Sequence, residues 1–294
     1  MKAWQFATHG PISKTLRLAT DVPRPDAASL QPGQILVKVA SAGLNPVDYK
    51  MPELGLAARA MFSFPKIPCG DLSGTAVAVG EGVEGLKAGD HVSIQPYVKA
   101  GDRVFINGGS GGTGTHGIQI AKLLGCHVTV SCSTAKVEFC RGLGADEVID
   151  YKIEDVVASL VKQSGSAGAE KWDLIVDNIG NSPTDLYKRS HEVLRDGGVY
   201  AYVGGRVSAG SMWNIVRGRL LPGFLGGQRR RFVLVMAQQS TEYVRPIVDW
   251  MADGKLKTVV DSKFEFGQVK EAYERLKTDR CQGKVIVKVV GREE

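Results

Sequence analysis

Arg103-Val-Phe-Ile-Asn-Gly-Gly-Ser-Gly-Gly-Thr-Gly114 is the stretch on which the fold turns. Arg103 to Ile106 is apolar and of strand character, and beyond it Ile118, Ala121, Lys122 and Gly125 recur at a helical period. Between the two, Gly109, Gly111 and Gly114 occupy the glycine positions of G-x-G-x-x-G. A glycine loop that leaves a strand and opens a helix is the context in which this motif signals a dinucleotide site. The first glycine permits a tight turn, the second lets backbone approach a pyrophosphate, and the third lets the helix pack on the sheet. Phosphates then sit at the helix N-terminus, where free N–H groups and the helix dipole favour anions. Ser110, Gly112 and Thr113 fill the rest of the loop and join the three glycines as cofactor-binding candidates. In a chain with 36 glycines the motif alone would say little; its flanks carry the reading.

Downstream, strands and helices alternate. His127–Ser131, Glu147–Ile149, Trp172–Val176, Gly198–Val203 and Arg231–Met236 read as strands. Ala135–Leu143, Ile153–Lys162 and Ser182–Leu194 read as the helices between them. That rhythm predicts a parallel sheet with crossover helices over residues 99–236, interrupted by a Gly- and Arg-rich loop, 205–230, with a short helix near Trp213. Residues 1–98 look different. Ala3–Ala7, Gln34–Ala40, Ser73–Val79 and Gly89–Ile94 read as short strands parted by turns such as Gly43-Leu-Asn-Pro-Val-Asp48, which suggests a mainly-β, barrel-like module. The tail, 237–294, carries a helix to about Ala252, a strand at Thr258–Val260, a helix at Gln268–Leu276 and a strand at Lys284–Val289. It is too small to stand alone and is expected to pack back on the N-terminal module. The fold class is therefore α/β. Lys87-Ala-Gly-Asp-His-Val92 is echoed by Lys99-Ala-Gly-Asp-Arg-Val104, which leaves little chain between the β module and the dinucleotide domain.

The second strand bears on the cofactor. NAD-binding units usually end it with a carboxylate that takes the ribose hydroxyls. Here it ends Val130-Ser-Cys-Ser-Thr134, with Lys136 just beyond and no carboxylate before Glu138. Ser131, Ser133 and Lys136 suit a 2′-phosphate through hydrogen bonds and charge, which favours NADPH. Ser133 and Thr134 could equally cap the next helix, and the two roles are compatible. Asp177, Asn178 and Gly180 follow a buried strand at its C-terminal end, where open α/β sheets bind ligands, and are expected to border the ribose or nicotinamide. Gly204, ending the next strand, is placed with them.

Composition narrows the class. Apolar residues make up 43% and charged residues 23%, as in ordinary globular proteins. The net charge of +6 concentrates between Arg217 and Arg231, without the zinc-finger or RNA-binding signatures that would point to nucleic acid. The five cysteines show neither metal spacing nor CxxC, and with no recognisable signal peptide they favour a reducing, cytoplasmic setting. No apolar run is long enough to span a bilayer.

Several motifs in linked order resemble one family. Gly43-Leu-Asn-Pro-Val-Asp48, Phe64-Pro-Lys-Ile-Pro68, the glycine loop, Leu143-Gly-Ala-Asp-Glu-Val-Ile-Asp150 and Gly283-Lys-Val-Ile-Val-Lys288 look like a zinc-independent quinone oxidoreductase of the medium-chain dehydrogenase/reductase superfamily. Phe224-Leu-Gly-Gly and Arg230-Arg-Phe-Val233 bring it nearest to fungal zinc-type alcohol dehydrogenase-like proteins and the reticulon-interacting oxidoreductase group. The resemblance implies a GroES-like catalytic domain built from both chain ends, a Rossmann domain, and a nicotinamide held in the cleft between them. It implies hydride transfer from NADPH to a quinone or an α,β-unsaturated carbonyl, and dimers are usual in the family. Asn45 is expected to hold substrate or ribose, or only to shape the turn before Pro46. Tyr49 is expected to offer a proton to a developing enolate oxygen, or to be core. Phe232 and Val233 match the region near the nicotinamide, though sheet packing explains them as well. Where zinc-dependent relatives place a cysteine and a His-Glu pair, this chain has Asn45 and Gly70-Asp71, so no metal is expected. The chain also lacks a substantial segment that family members carry between the Gly89-Asp-His-Val strand and the Lys99-Ala-Gly-Asp turn; only Ser93–Val98 spans the gap. Three readings follow: an active reductase, a nucleotide-binding regulatory or scaffold protein without turnover, or a reductase serving a biosynthetic synthase in trans.

Overall fold

In the computed structural model of the protein the described residues are 1–81, 98–165, 170–180, 182–183, 185–205, 230–235 and 241–289, the side chains of 241–244 excepted. The expected strand Gly89–Ile94, the first copy of the KAGD echo, the short helix near Trp213 and most of the Gly/Arg-rich loop lie outside them. Strands β1 (Ala3–Phe6), β2 (Leu16–Ala19), β3 (Ile35–Leu44) and β4 (Asp71–Val79) come first. Then come β5 (Arg103–Asn107), β6 (His127–Cys132), β7 (Glu147–Asp150), β8 (Trp172–Asp177), β9 (Leu194–Tyr202) and β10 (Arg231–Leu234). Strands β11 (Val260–Glu265) and β12 (Lys284–Lys288) end the series. The chain forms two compact units, Met1–His91 with Val260–Glu294, and Val92–Val259.

The second unit is a six-stranded sheet in the order β10-β9-β8-β5-β6-β7, with every pairing parallel. Read from the other edge, this is the doubly wound order, in which the order of strand addition reverses between β5 and β8, the place where such sheets take ligands. Buried parallel strands must be apolar on both faces. Accordingly Val104 and Ile106 of β5 join a core with Val128, Val130, Ile118, Val199 and Ala201. Phe105 faces the other way, into a core with Trp172, Ile175, Leu160, Tyr187 and Tyr200. The helix after β7 starts at Val156 rather than Ile153, because the Asp155 carboxylate accepts from the N–H of Ala158 at 2.6 Å and so marks the boundary. The helix Thr241–Ala252 belongs to this unit, not to the returning tail. Behind it, Gln119 and Lys257 exchange two hydrogen bonds, of 3.0 and 2.9 Å, which fasten that segment to the helix Gly112–Leu123.

The first unit is built from both chain ends. Its four-stranded sheet runs β11-β12-β3-β4, parallel between β11 and β12 and antiparallel elsewhere, and β1 pairs antiparallel with β2. The helix Val269–Lys277 turns Val269, Ala272, Tyr273 and Leu276 inward at helical spacing, onto Phe6, Leu16, Leu44, Val285 and Val287. Two expectations change here. The segment 43–48 is not a polar turn: β3 runs on to Leu44, which is buried, and a helix takes Pro46–Lys50, with proline at a first-turn position its fixed φ suits. The strand expected at Thr258–Val260 begins instead at Val260 and runs to Glu265 as a sheet edge. Its polar Asp261-Ser262-Lys263 hides it from a pattern search, while its ladder with β12 defines it.

Candidate functional site

The glycine loop lies at the C-terminal end of β5, and its helix, Gly112–Leu123, opens directly from it with Gly111 as the capping residue. Space explains the glycines. A Cβ on Gly109 would come within 2.8 Å of Val130 Cβ, and one on Gly114 would overlap the backbone of Gly108 and Gly109. Gly108 adopts φ 81°, and a Cβ there would meet Ile179 Cδ1 at 2.6 Å. The loop is therefore a cradle of bare backbone at a helix N-terminus, which fits the pyrophosphate of a dinucleotide. Within it Gly109, Ser110 and Gly114 are buried and Thr113 is exposed.

Behind the cradle is a buried hydrogen-bond network that sequence reading did not find. Asn107 donates from Nδ2 to Asp177 Oδ1 at 2.8 Å and to the carbonyl of Ser182 at 2.8 Å. Ser131 donates from Oγ to Asn107 Oδ1 at 2.7 Å and accepts from the N–H of Gly108 at 3.0 Å. Tyr200 donates its hydroxyl to Asp177 Oδ2 at 2.7 Å. Burial and then the neighbouring Asp177 charge hold the Tyr200 hydroxyl well above its ordinary range, so it is a neutral donor. Ser131 and Asp177, expected to touch cofactor, instead turn inward at 1% and 2% exposure and spend their oxygens on this network. Phe232 is likewise committed: it stacks on Tyr200 at 6.0 Å and meets Tyr187 edge-on at 5.8 Å. Val233 faces the opposite core.

Other expected residues are more open. Ser133 is half-buried and precedes the short turn Thr134–Lys136 without a side-chain capping bond, so its hydroxyl is not spent on a cap. Lys136 follows, also half-buried. No carboxylate stands between the end of β6 and Glu138. Asn178 packs against Gly108 and Gly204, and both polar atoms of its side chain are buried without a hydrogen-bond partner among the described residues.

In the first unit, Asn45 and Tyr49 part company. Tyr49 is 6% exposed, lies edge-on to Tyr273 at 6.4 Å and has the Lys277 ammonium over its ring, so the helix has turned it into the core. It is not placed to donate to a substrate. Asn45 sits in a polar cluster at the end of β3. Its backbone N–H donates to Asp48 Oδ2 at 2.7 Å, and its Nδ2 donates to Asp71 Oδ2 at 2.7 Å. Lys284 reaches in from β12 and donates to Asn45 Oδ1 at 2.7 Å and to Asp71 Oδ2 at 2.9 Å. Gly43 leaves room for that lysine: a Cβ there would stand 3.3 Å from Lys284 Cε. Burial pushes the Asp48 carboxyl up to about 6, against the lowering effect of the Asn45 N–H. Burial, with the Asp48 charge, pushes the Cys69 thiol up to about 11, and its sulfur donates to the carbonyl of Asp71 at 2.9 Å.

The donor set of this cluster is one thiol, two carboxylates and an amide. Structural and catalytic zinc sites need deprotonated thiolate, neutral imidazole or carboxylate in tetrahedral array. Here the amide is engaged at both ends, and an ammonium already serves as the local cation. Among the described residues no group of three or more His, Cys, Asp or Glu is arranged to hold a metal.

Comparison with known proteins places this geometry. The family model for the alcohol dehydrogenase GroES-like domain matches residues 31–149, and that for zinc-binding dehydrogenase matches 143–287. The trans-enoyl reductase pgmF of Aspergillus terreus is 39% identical over 98% of this chain and 96% of its own. That alignment runs over 351 positions against a chain of 294 residues, so the relative has residues that this chain lacks. A zinc-type alcohol dehydrogenase-like protein of Schizosaccharomyces pombe is 28% identical over 97% of this chain and 96% of its own. Among solved structures, the quinone oxidoreductase from Coxiella burnetii superposes with a TM-score of 0.75 at 25% identity, covering 99% of each chain. The Escherichia coli quinone oxidoreductase complexed with NADPH shares the fold, with a TM-score of 0.72 at 20% identity over 98% of this chain and 100% of its own. A GroES-like unit made from both chain ends, a doubly wound sheet with its glycine cradle, and a full-length relative together make the chain a member of the medium-chain dehydrogenase/reductase superfamily, an oxidoreductase of the quinone oxidoreductase-like kind.

Proposed function

We propose that the protein reduces quinones or α,β-unsaturated carbonyl compounds by direct hydride transfer from NADPH, without zinc. The observation that carries this is the cradle at 107–114 together with the end of β6, where Ser133 and Lys136 stand and a carboxylate does not. Ser133 offers a hydroxyl and Lys136 a cation to the 2′-phosphate, which distinguishes NADPH from NADH. The glycine loop, Ser110 and Thr113 take the pyrophosphate, while Asn178 and Gly204 border the other end. NADPH, when bound, supplies the hydride. The protein orients it and excludes water. In the first unit Asn45 acts by holding Lys284: among the described residues, Asn45 and Asp71 each take one ammonium N–H. The named relatives, a trans-enoyl reductase and quinone oxidoreductases, support the substrate class. A homodimer in the cytoplasm completes the reading, the latter in keeping with five cysteines that show neither metal spacing nor CxxC.

NADPH oxidation assayed with 9,10-phenanthrenequinone and with a panel of enones tests it. Turnover that prefers NADPH to NADH is expected. Lys136→Ala should narrow that preference by about tenfold, the worth of one charge-assisted contact. An unchanged affinity ratio removes the basis for the cofactor assignment. The alternative, a dinucleotide-binding regulatory or scaffold homologue without turnover, is favoured by the residues this chain lacks relative to pgmF. Tight NADPH binding with no turnover across the panel would decide for it.

A further inference from the structure

Asp177 is a carboxylate at 2% exposure, and among the described residues it forms no ion pair with a lysine or arginine. A buried charge in that position persists only if hydrogen bonds replace its hydration. It has them, from the end of β5, the turn after β8 and strand β9. Oδ1 accepts from Asn107 Nδ2 at 2.8 Å, from the N–H of Ile179 at 3.1 Å and from the N–H of Gly180 at 2.9 Å. Oδ2 accepts from Tyr200 at 2.7 Å. The Asp177 carbonyl accepts from the N–H of Val203 at 2.9 Å and of Gly204 at 3.3 Å. Through Asn107 and Ser131 the same network reaches the N–H of Gly108 in the cradle.

The loops so joined also touch one another. Gly180 has φ 58°, and a Cβ on it would stand 2.6 Å from the carbonyl oxygen of Gly204. The Gly108 Cβ position lies 2.6 Å from Ile179 Cδ1. All three loops leave the C-terminal ends of neighbouring strands, β5, β8 and β9. The 178–180 turn donates to the carboxylate, the 203–205 turn to the carbonyl of the same residue, and the cradle joins through Ser131 and Asn107, so a shift of any one unpairs a buried bond of this network.

We propose that Asp177 and Tyr200 are positioning residues for dinucleotide binding. They touch no cofactor. They lock the phosphate cradle, the 178–180 turn and the 203–205 turn into one rigid rim, so that the pyrophosphate and nicotinamide ends of the ligand are held in register. This rests on the NADPH reading above.

The test compares NADPH with adenosine 2′-monophosphate, a fragment that calls on Ser133 and Lys136 but not on the rim. Affinities are measured by fluorescence and calorimetric titration, well below the thermal midpoint of each variant. Tyr200→Phe, which keeps the aromatic packing and removes one donor, should weaken NADPH about tenfold and leave the fragment within about twofold. Asp177→Asn keeps an acceptor for Asn107 and the turn and can still bond Tyr200, so NADPH binding should stay within about threefold of wild type. Asp177→Leu should lose far more. Equal weakening of both ligands in Tyr200→Phe would mean general destabilisation and would overturn the proposal, as would unchanged NADPH affinity. A wild-type protein that binds neither ligand would instead overturn the cofactor reading itself, and this proposal with it.

Discussion

Asp48 shows how a single residue can carry a local conflict. It caps its helix through the Asn45 N–H, which favours the charged form, yet burial opposes that form more strongly, and Asp71 adds like charge. The carboxyl therefore rises from 3.8 to about 6 in the folded protein. A raised folded value means that the native state holds the proton more tightly than the unfolded chain. Its contribution to stability is full below about pH 4 and is lost as pH climbs through about 6, by at most about 3 kcal/mol for a shift of this size. Urea unfolding followed from pH 4 to pH 7.5 should show this component in wild type and a flatter profile in Asp48→Asn. A variant with the wild-type slope would assign the effect elsewhere. Lys284 lies in the same cluster and escaped sequence reading for a physical reason. Its partner Asn45 is 239 positions away, and no periodicity connects an ammonium on the last strand with an amide after the third. Asn45 itself stood out in the sequence, as the residue before Pro46, but which groups saturate its amide depends on sheet register.

At the scale of elements, the strand-loop-helix unit was legible because its residues are neighbours. The apolar run of β5, the glycine spacing and the helical period of Ile118 and Ala121 state one structure three times over. That unit yields two predictions with separate readouts. Gly114→Ala would drive a Cβ into the Gly108 and Gly109 backbone, so the loop must open, and NADPH affinity should fall by more than about tenfold. Ile118→Ala, one turn deeper on the same helix and fully buried, should cost about 2–4 kcal/mol of stability by leaving a cavity, with NADPH affinity nearly unchanged. A stability loss in Gly114→Ala without a binding loss would show that the cradle is scaffold only. By contrast, β11 was misplaced because its outward residues are polar, as edge strands require, and its defining partner, β12, lies beyond an intervening helix.

The whole molecule poses a question about completeness. The trans-enoyl reductase pgmF aligns over more positions than this chain has residues, and β4, an outer strand of the first sheet among the described residues, has no buried residue, with Leu72, Val77 and Val79 all about half exposed at 47%, 54% and 52%. Among the described residues of the second unit, the sheet keeps the doubly wound order and both faces bear buried cores. Cofactor binding therefore has a test of its own, apart from turnover. A ligand that binds only the native state stabilises it by RT ln(1 + [L]/Kd), about 2.7 kcal/mol at a hundredfold excess over Kd. NADPH should therefore raise the thermal transition of the unit Val92–Val259, and hydrogen exchange should slow most at 107–116 and 131–136, where the cradle and the end of β6 lie. Those two changes are expected whether or not the protein turns over a quinone or enone. If NADPH leaves both the transition and the exchange of these segments unmoved, the dinucleotide site does not exist, and the reductase and scaffold readings fall together.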